Sequence, residues 1–276
     1  MAAIICEKVG QIGKIWLNRP DVKNAINTEM MVGFQNALDD MIADENVRVV
    51  IIQGKGDNFC GGFDVGTSAA KTWTLEYRRA RTQEEISMWY KIIDCDKPFI
   101  IGLQGEVMGG GALMTSVCDI VVAAEDTKIN NEELAWGLTY TNYLPFDAWK
   151  LPMNIAKECM FTGMDITAQK GYQYGLFNYV VQKDQVDETC MKIARRMLQV
   201  APLTLKAHKE IMTHCYDLQG MRSSVTFARE IFNLSRLSEG TEANREFWKN
   251  VTEKGPATAA EIAHQKLMDA VEGKAE

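Results

Sequence analysis

The chain is poor in the residues that carry most familiar chemistries. It has three histidines, His208, His214 and His264, all late in the sequence and in no HExxH or triad-like arrangement. They read as surface or helix-face residues. Seven cysteines, at 6, 60, 95, 118, 159, 190 and 215, form no CxxC, and several sit in apolar segments. That pattern argues against a zinc site or a disulfide frame and predicts reduced thiols in a cytoplasmic protein, with no metal-ligating set. Net charge is −7 with a pI of about 5.2, and no basic tract is present, so nucleic acid is not an expected partner. No apolar run approaches a membrane span. The opening Met1-Ala2-Ala3-Ile4-Ile5-Cys6-Glu7 lacks the cationic start and long apolar core expected of a signal peptide. Nucleotide fingerprints, GxGxxG or GxxxxGKS/T, are missing too.

What is present is a large apolar inventory and two glycine-rich turns. With 276 residues, 46% hydrophobic and 24% charged, the chain can bury a substantial core. The turns read Asn58-Phe59-Cys60-Gly61-Gly62-Phe63-Asp64 and Gly105-Glu106-Val107-Met108-Gly109-Gly110-Gly111. Each follows a strand-like apolar run, Val49-Val50-Ile51-Ile52 and Phe99-Ile100-Ile101. A strand that ends in glycines and enters a helix exposes backbone N–H groups at the helix start. Glycine lets the chain turn sharply and lets another group approach closely. Two such turns can aim two amides at one oxygen, the arrangement of an oxyanion hole. Taken singly, each turn is more often a plain turn or a helix–strand packing contact.

The first half alternates strands with helices. Ile15-Trp16-Leu17 ends at the turn Asn18-Arg19-Pro20. Asn27 or Thr28 then caps a helix to about Ile42, with Met31, Phe34, Ala37, Leu38 and Met41 at helical spacing. A strand is expected over Val47–Ile52. Residues 66–92 read as helical but irregular, with Trp73, Tyr77, Trp89, Tyr90, Arg78, Arg79 and Arg81. A strand over Phe99–Leu103, a helix to about Ser116 and a strand over Ile120–Ala123 follow. The rhythm predicts a largely parallel sheet buried on both faces. From about 147 the chain reads as successive helices, with amphipathic segments at 186–200, 203–217, 222–237 and 241–252. These lack an obvious sheet to cover, which points to docking on another subunit.

The order of these motifs resembles the crotonase superfamily, the enoyl-CoA hydratase/isomerase family, over about residues 8 to 255. The resemblance rests on Leu17-Asn18-Arg19-Pro20-Asp21-Val22-Lys23-Asn24-Ala25, on Phe59-Cys60-Gly61-Gly62-Phe63-Asp64, and on Lys97-Pro98. It continues through Gly109-Gly110-Gly111, Cys118-Asp119-Ile120 and the segment from Phe161-Thr162-Gly163 to Gly175-Leu176. It implies an α/β fold, a spiral of ββα turns over residues 1–200. A helical region at 201–276 would build trimers, alone or paired into hexamers. It also implies an acyl-CoA thioester substrate, with coenzyme A carried by the substrate and no separate cofactor.

By the same resemblance the hole amides fall on Phe63 and Gly110. Family hydratases hold a water between two glutamates. The first position is here Leu113, and the second is Glu133, 23 residues after Gly110. One carboxylate suits proton transfer between two carbons of the acyl chain, so double-bond isomerisation is the leading expectation. Hydration or dehydration and lyase chemistry remain open, as does an inactive CoA-binding or scaffold protein. Thr141 stands where related dehalogenases and ring-cleaving hydrolases carry Asp. Asn130, Asn131, Tyr140, Asn142 and Tyr143 make this half of the pocket polar, which suggests a cyclic, aromatic or oxygenated acyl group. Val22, Lys23, Ala25, Gly61 and Asp64 correspond to substrate- and CoA-contacting positions, with Leu113, Tyr140 and Tyr143 toward the acyl group. Phe247 and Lys249 resemble a C-terminal segment that reaches CoA from a neighbouring subunit. Glu106 has no assigned role.

Overall fold

The computed structural model describes residues 2–64, 74–130, 132–137, 147–235 and 242–271. Its first half is organised by the period-two alternation of its strands. β1 (Ile4–Val9) and β2 (Ile12–Leu17) form an antiparallel pair, and α1 (Thr28–Ala43) follows, its first turn capped by Asn27 Oδ1, which accepts the Met30 amide at 2.9 Å. β3 (Val49–Gly54), α2 (Leu75–Asp94), β4 (Phe99–Leu103), β5 (Glu106–Met108), α3 (Gly110–Val117), β6 (Ile120–Ala124) and β7 (Lys128–Asn130) come next. Then come α4 (Asp147–Lys150), α5 (Met153–Thr162), β8 (Ile166–Thr167), α6 (Ala168–Gln173) and β9 (Tyr179–Val181). The helices α7 (Val186–Met197), α8 (Pro202–Leu218), α9 (Met221–Ser235), α10 (Glu242–Lys254) and α11 (Pro256–Val271) complete the chain.

The larger sheet has the order β1-β2-β3-β4-β6-β9, parallel throughout after the first pair. Alternate residues face opposite sides. Val50, Ile52, Phe99, Ile101, Val121 and Ala123 join the main core with Phe34, Leu38 and Met41 of α1 and Trp89 of α2. Val49, Ile51, Ile100, Val122 and Ala124 face the other way, against Val186, Cys190, Met191 and Ala194 of α7. The central strands are therefore buried on both faces, as their continuous apolar runs require.

This corrects one expectation. The segment beginning at 186 does have a sheet to cover: α7 lies on the second face, and Lys14 of β2 donates to Asp187 at 2.5 Å. α8 and α9 differ, since they leave Leu203, Ile211, Met212, Leu218, Phe227 and Leu234 exposed. The third strand also begins two residues later than expected. Val47 is buried, but its amide closes a turn onto Asp44 O. Hydrophobicity alone does not separate a buried turn residue from a strand. No described helix is long and apolar enough to cross a membrane.

A smaller sheet, β5-β7-β8, receives the chain after β4 and after β6. β4 passes through Gln104-Gly105 into β5 and then α3; β6 passes through a short turn into β7. The first coil does the same with a single bridge, Cys60 to Val107, in place of a strand. Cys60, Val107 and Ile129 thus stand in line on three successive coils.

The loop before α1 is fastened to the first coil by Asn24, which is fully buried at φ 55°. Its Nδ2 donates to Lys55 O (2.9 Å), Asn58 O (2.9 Å) and Phe59 O (3.1 Å), and its Oδ1 accepts the Arg19 amide at 2.7 Å. Asn24→Ala orphans these buried partners and is expected to lower unfolding free energy by about 3 kcal/mol. Asn24→Asp sets a carboxylate against three carbonyl oxygens and is expected to destabilise further at neutral pH. Urea titration followed by circular dichroism checks both.

Candidate active site

The two glycine turns meet backbone to backbone. Gly62 has φ 83°, and a Cβ there would lie 3.3 Å from Met108 O and 3.6 Å from the Gly109 Cα. Gly109 has φ 47° and ψ −113°, a conformation that a side chain makes costly. A Cβ at Gly109 would lie 3.4 Å from the Gly62 Cα, 3.8 Å from the Phe63 nitrogen and 3.1 Å from Glu133 Oε1. One small volume over Gly109 thus borders both the Phe63 amide and a carboxylate.

The direction of the amides follows from their elements. Phe63 forms a parallel bridge with Ile26, in which the Ile26 amide donates to Gly62 O (2.7 Å) and the Asp64 amide donates to Ile26 O (2.9 Å). In such a bridge the central residue's own N–H points away from its partner. Gly110 is the first residue of α3, where amides have no intrahelical acceptor. Among the described residues, neither amide donates to another backbone group. The helix N-terminus adds a partial positive charge.

Glu133 sits in a 3-10 turn, Glu132–Leu134, just beyond β7. Its carbonyl accepts the Trp136 amide at 3.1 Å, and the residue is 7% exposed. Two other carboxylates flank the turns but are turned to structural partners. Asp64 pairs with Arg19 at 3.3 Å. Glu106 accepts from Lys23 Nζ at 2.7 Å, which supplies the partner that the sequence left unassigned. Glu133 is the carboxylate that reaches Gly109.

The described residues beside Gly110 are apolar. The Phe63 ring and Ile26 Cδ1 lie against Gly110, with distances of 3.3 and 2.6 Å to the place a Cβ would take. Leu113 is 0% exposed on α3, whose residues are all buried. Cys60 donates its thiol to Asn24 O at 3.4 Å, and burial pushes the thiol up to about 12. It is a packing residue, not a nucleophile.

Several sequence expectations meet in one place and others do not. Phe63, Gly110 and Glu133 converge. Val22, Lys23 and Ala25 lie on the loop beside Gly61, whose amide donates to Lys23 O at 2.7 Å. Tyr140, Thr141, Asn142, Tyr143 and Asn131 fall outside the described residues. Phe247 is 2% exposed and stacks on Trp136 of its own chain, with ring centroids 4.6 Å apart and planes 11° apart. Sequence reasoning overlooked Arg19 and Trp136. Arg19 donates to Ala25 O and pairs with Asp64, and its presence within the Leu17–Ala25 motif was the available signal.

The Enoyl-CoA hydratase/isomerase family profile matches residues 7–251. The chain belongs to this family. A solved enoyl-CoA hydratase/isomerase from Xanthobacter autotrophicus Py2 is 27% identical and superposes with a TM-score of 0.88, over 95% of this chain and 97% of that one. The 2,3-dehydroadipyl-CoA hydratase of Escherichia coli K12 is 26% identical over 87% of this chain and 92% of its own length. The crotonyl-CoA hydratase of Syntrophomonas wolfei is 28% identical over 83% and 86%. The fold is the crotonase spiral, and the chain is an enzyme of this family.

The close approach at Gly109 makes a direct prediction. Gly109→Ala is expected to lower stability by about 2 kcal/mol, through its backbone conformation and the displaced Glu133 carboxylate. Chemical denaturation measures the loss, and a variant as stable as the parent contradicts the contact.

Proposed function

We propose that this protein acts on an acyl-CoA thioester through an enolate held by the Phe63 and Gly110 amides, with Glu133 moving the proton. The observation that carries the reading is the single volume over Gly109, bordered by the Phe63 amide, the start of α3 and Glu133 Oε1. Removing a proton from an acyl carbon drives charge onto the thioester oxygen. Two preorganised amides stabilise that charge, and loss of one such donor costs roughly 2.7–4 kcal/mol. A carboxylate is the fitting base once the enolate is stabilised in this way. No cofactor is needed beyond the coenzyme A that the substrate brings. Lys23, with Val22, Ala25 and Gly61, lies on the side of the turns where the CoA moiety would run.

The apolar Leu113 favours double-bond isomerisation as the specific reaction. A hydrating water needs two or more polar partners to stay in place. Leu113 supplies none, whereas Glu133 can take a proton from one carbon and return it to another on the same face. The second reading is hydration, supported by the hydratase names of the related proteins. Glu133→Gln keeps shape and removes the titrating group, so turnover is expected to fall by about 10²-fold or more while CoA-thioester affinity holds. Wild-type turnover in that variant refutes the assignment. Product analysis in ¹⁸O-labelled water separates the two reactions. Isomer without label at the β-carbon is expected, and rapid labelling with no isomer overturns the isomerase reading. Leu113→Glu is expected to raise hydration relative to isomerisation.

The exposed apolar residues of α8 and α9, Leu203 (75% exposed) and Phe227 (70%) among them, support assembly into a trimer or a pair of trimers. Light scattering at micromolar concentration is expected to give a mass of three or six chains. A fully active monomer contradicts it.

A further inference from the structure

We propose that the α10–α11 hairpin is a positioning device for Glu133, and that Phe247 and Trp136 are its working parts. The inference rests on the assignment of Glu133 as proton carrier. Trp136 lies three residues after Glu133 and is bonded to it through the backbone, its amide donating to Glu133 O at 3.1 Å. Its carbonyl accepts from Asn244 Nδ2 of α10 at 3.1 Å. Its ring stacks on Phe247, one turn further along the same helix, and Phe247 in turn meets Trp248 edge-on at 5.4 Å.

The same cluster reaches the other arm of the site. Met108, the residue before Gly109, is buried together with Trp136, Phe247, Val251, Ala259 and Ala263. The hairpin therefore grips both the strand that delivers the Gly109–Gly110 turn and the 3-10 turn that delivers Glu133. Those two segments are joined to each other by the short β5–β7 pairing, which ends at Met108 and Asn130. A three-residue helical turn has little stability of its own. Its register against Gly109 is set by what packs on Trp136. A displacement of about 1 Å at a reacting group can lower rate about 10²-fold.

The indole nitrogen of Trp136 is buried with no hydrogen-bond acceptor among the described residues. Trp136→Phe therefore loses no bond to a described residue and keeps a ring for Phe247 to stack on. The stack is what the proposal requires, so this variant is expected to retain wild-type kcat within about threefold. Phe247→Ala removes the stack and is expected to lower kcat about 10- to 100-fold, with KM for the CoA thioester changed less than threefold. In the Glu133→Gln background the same substitution is expected to cause no comparable further fall, because it acts through the group already removed.

Folding is checked by circular dichroism. If Phe247→Ala does not fold, Phe247→Leu and Trp136→Ala take its place with the same expected split. A folded stack-breaking variant with wild-type kcat overturns the proposal, as does an effect confined to KM, which would mark a direct substrate contact. Full multiplication of the two effects in the double variant overturns it as well. Wild-type turnover by Glu133→Gln alone is a different outcome, since it removes the assignment on which the proposal stands.

Discussion

The site depends on one close approach: the backbone of Gly62 against that of Gly109. Both residues have positive φ, and a Cβ on either would press on the other coil. The contact fixes two strand-to-helix corners at a separation that side chains would not permit. It places the Phe63 amide and the α3 N-terminus on one volume, which the Glu133 turn of the next coil then borders. Asn24 holds the first corner from behind, through three carbonyls and one amide. The Trp136–Phe247 stack lies against the second and third.

Among the described residues, the Glu133 carboxylate borders this volume, 3.1 Å from the place of a Gly109 Cβ. Asp64 and Glu106 lie within a few residues of the two amides, yet each is drawn to a cation on the loop before α1. These pairs are partly exposed, so their net contribution to stability is small. Their effect is on position: they tie both carboxylates to the loop before α1. Phe63 and Ile26 supply apolar surface beside Gly110, and in such surroundings an aligned amide acts on developing charge more strongly than in water.

Much of this was legible in the sequence because it is written in local patterns. Asn27 and the apolar spacing from Met31 to Met41 mark α1 to within a residue, and the β-branched runs mark β3, β4 and β6. Phe63, Gly110 and Glu133 were reached through motif order, and the coil register explains why they lie together: each follows an aligned strand position by three or four residues. What escaped were relations between distant segments. Nothing local tells that the segment at 186 covers the second face of the sheet, nor that Phe247 closes on Trp136 across more than a hundred residues. Glu106 had no assigned role because its partner, Lys23, lies 83 residues away in the chain. α11 was not marked, since its alanine-rich sequence carries a weak apolar stripe.

The central claim is that the volume over Gly109 stabilises an enolate. Its most direct measurement uses a saturated acyl-CoA in deuterated water, where neither hydration nor double-bond migration can occur and only α-carbon deprotonation leaves a trace. Mass spectrometry of the recovered thioester is expected to show deuterium at the α-carbon at a rate proportional to enzyme concentration. Folded protein that binds the thioester and leaves its α-protons unexchanged, at every chain length tried, would contradict the account.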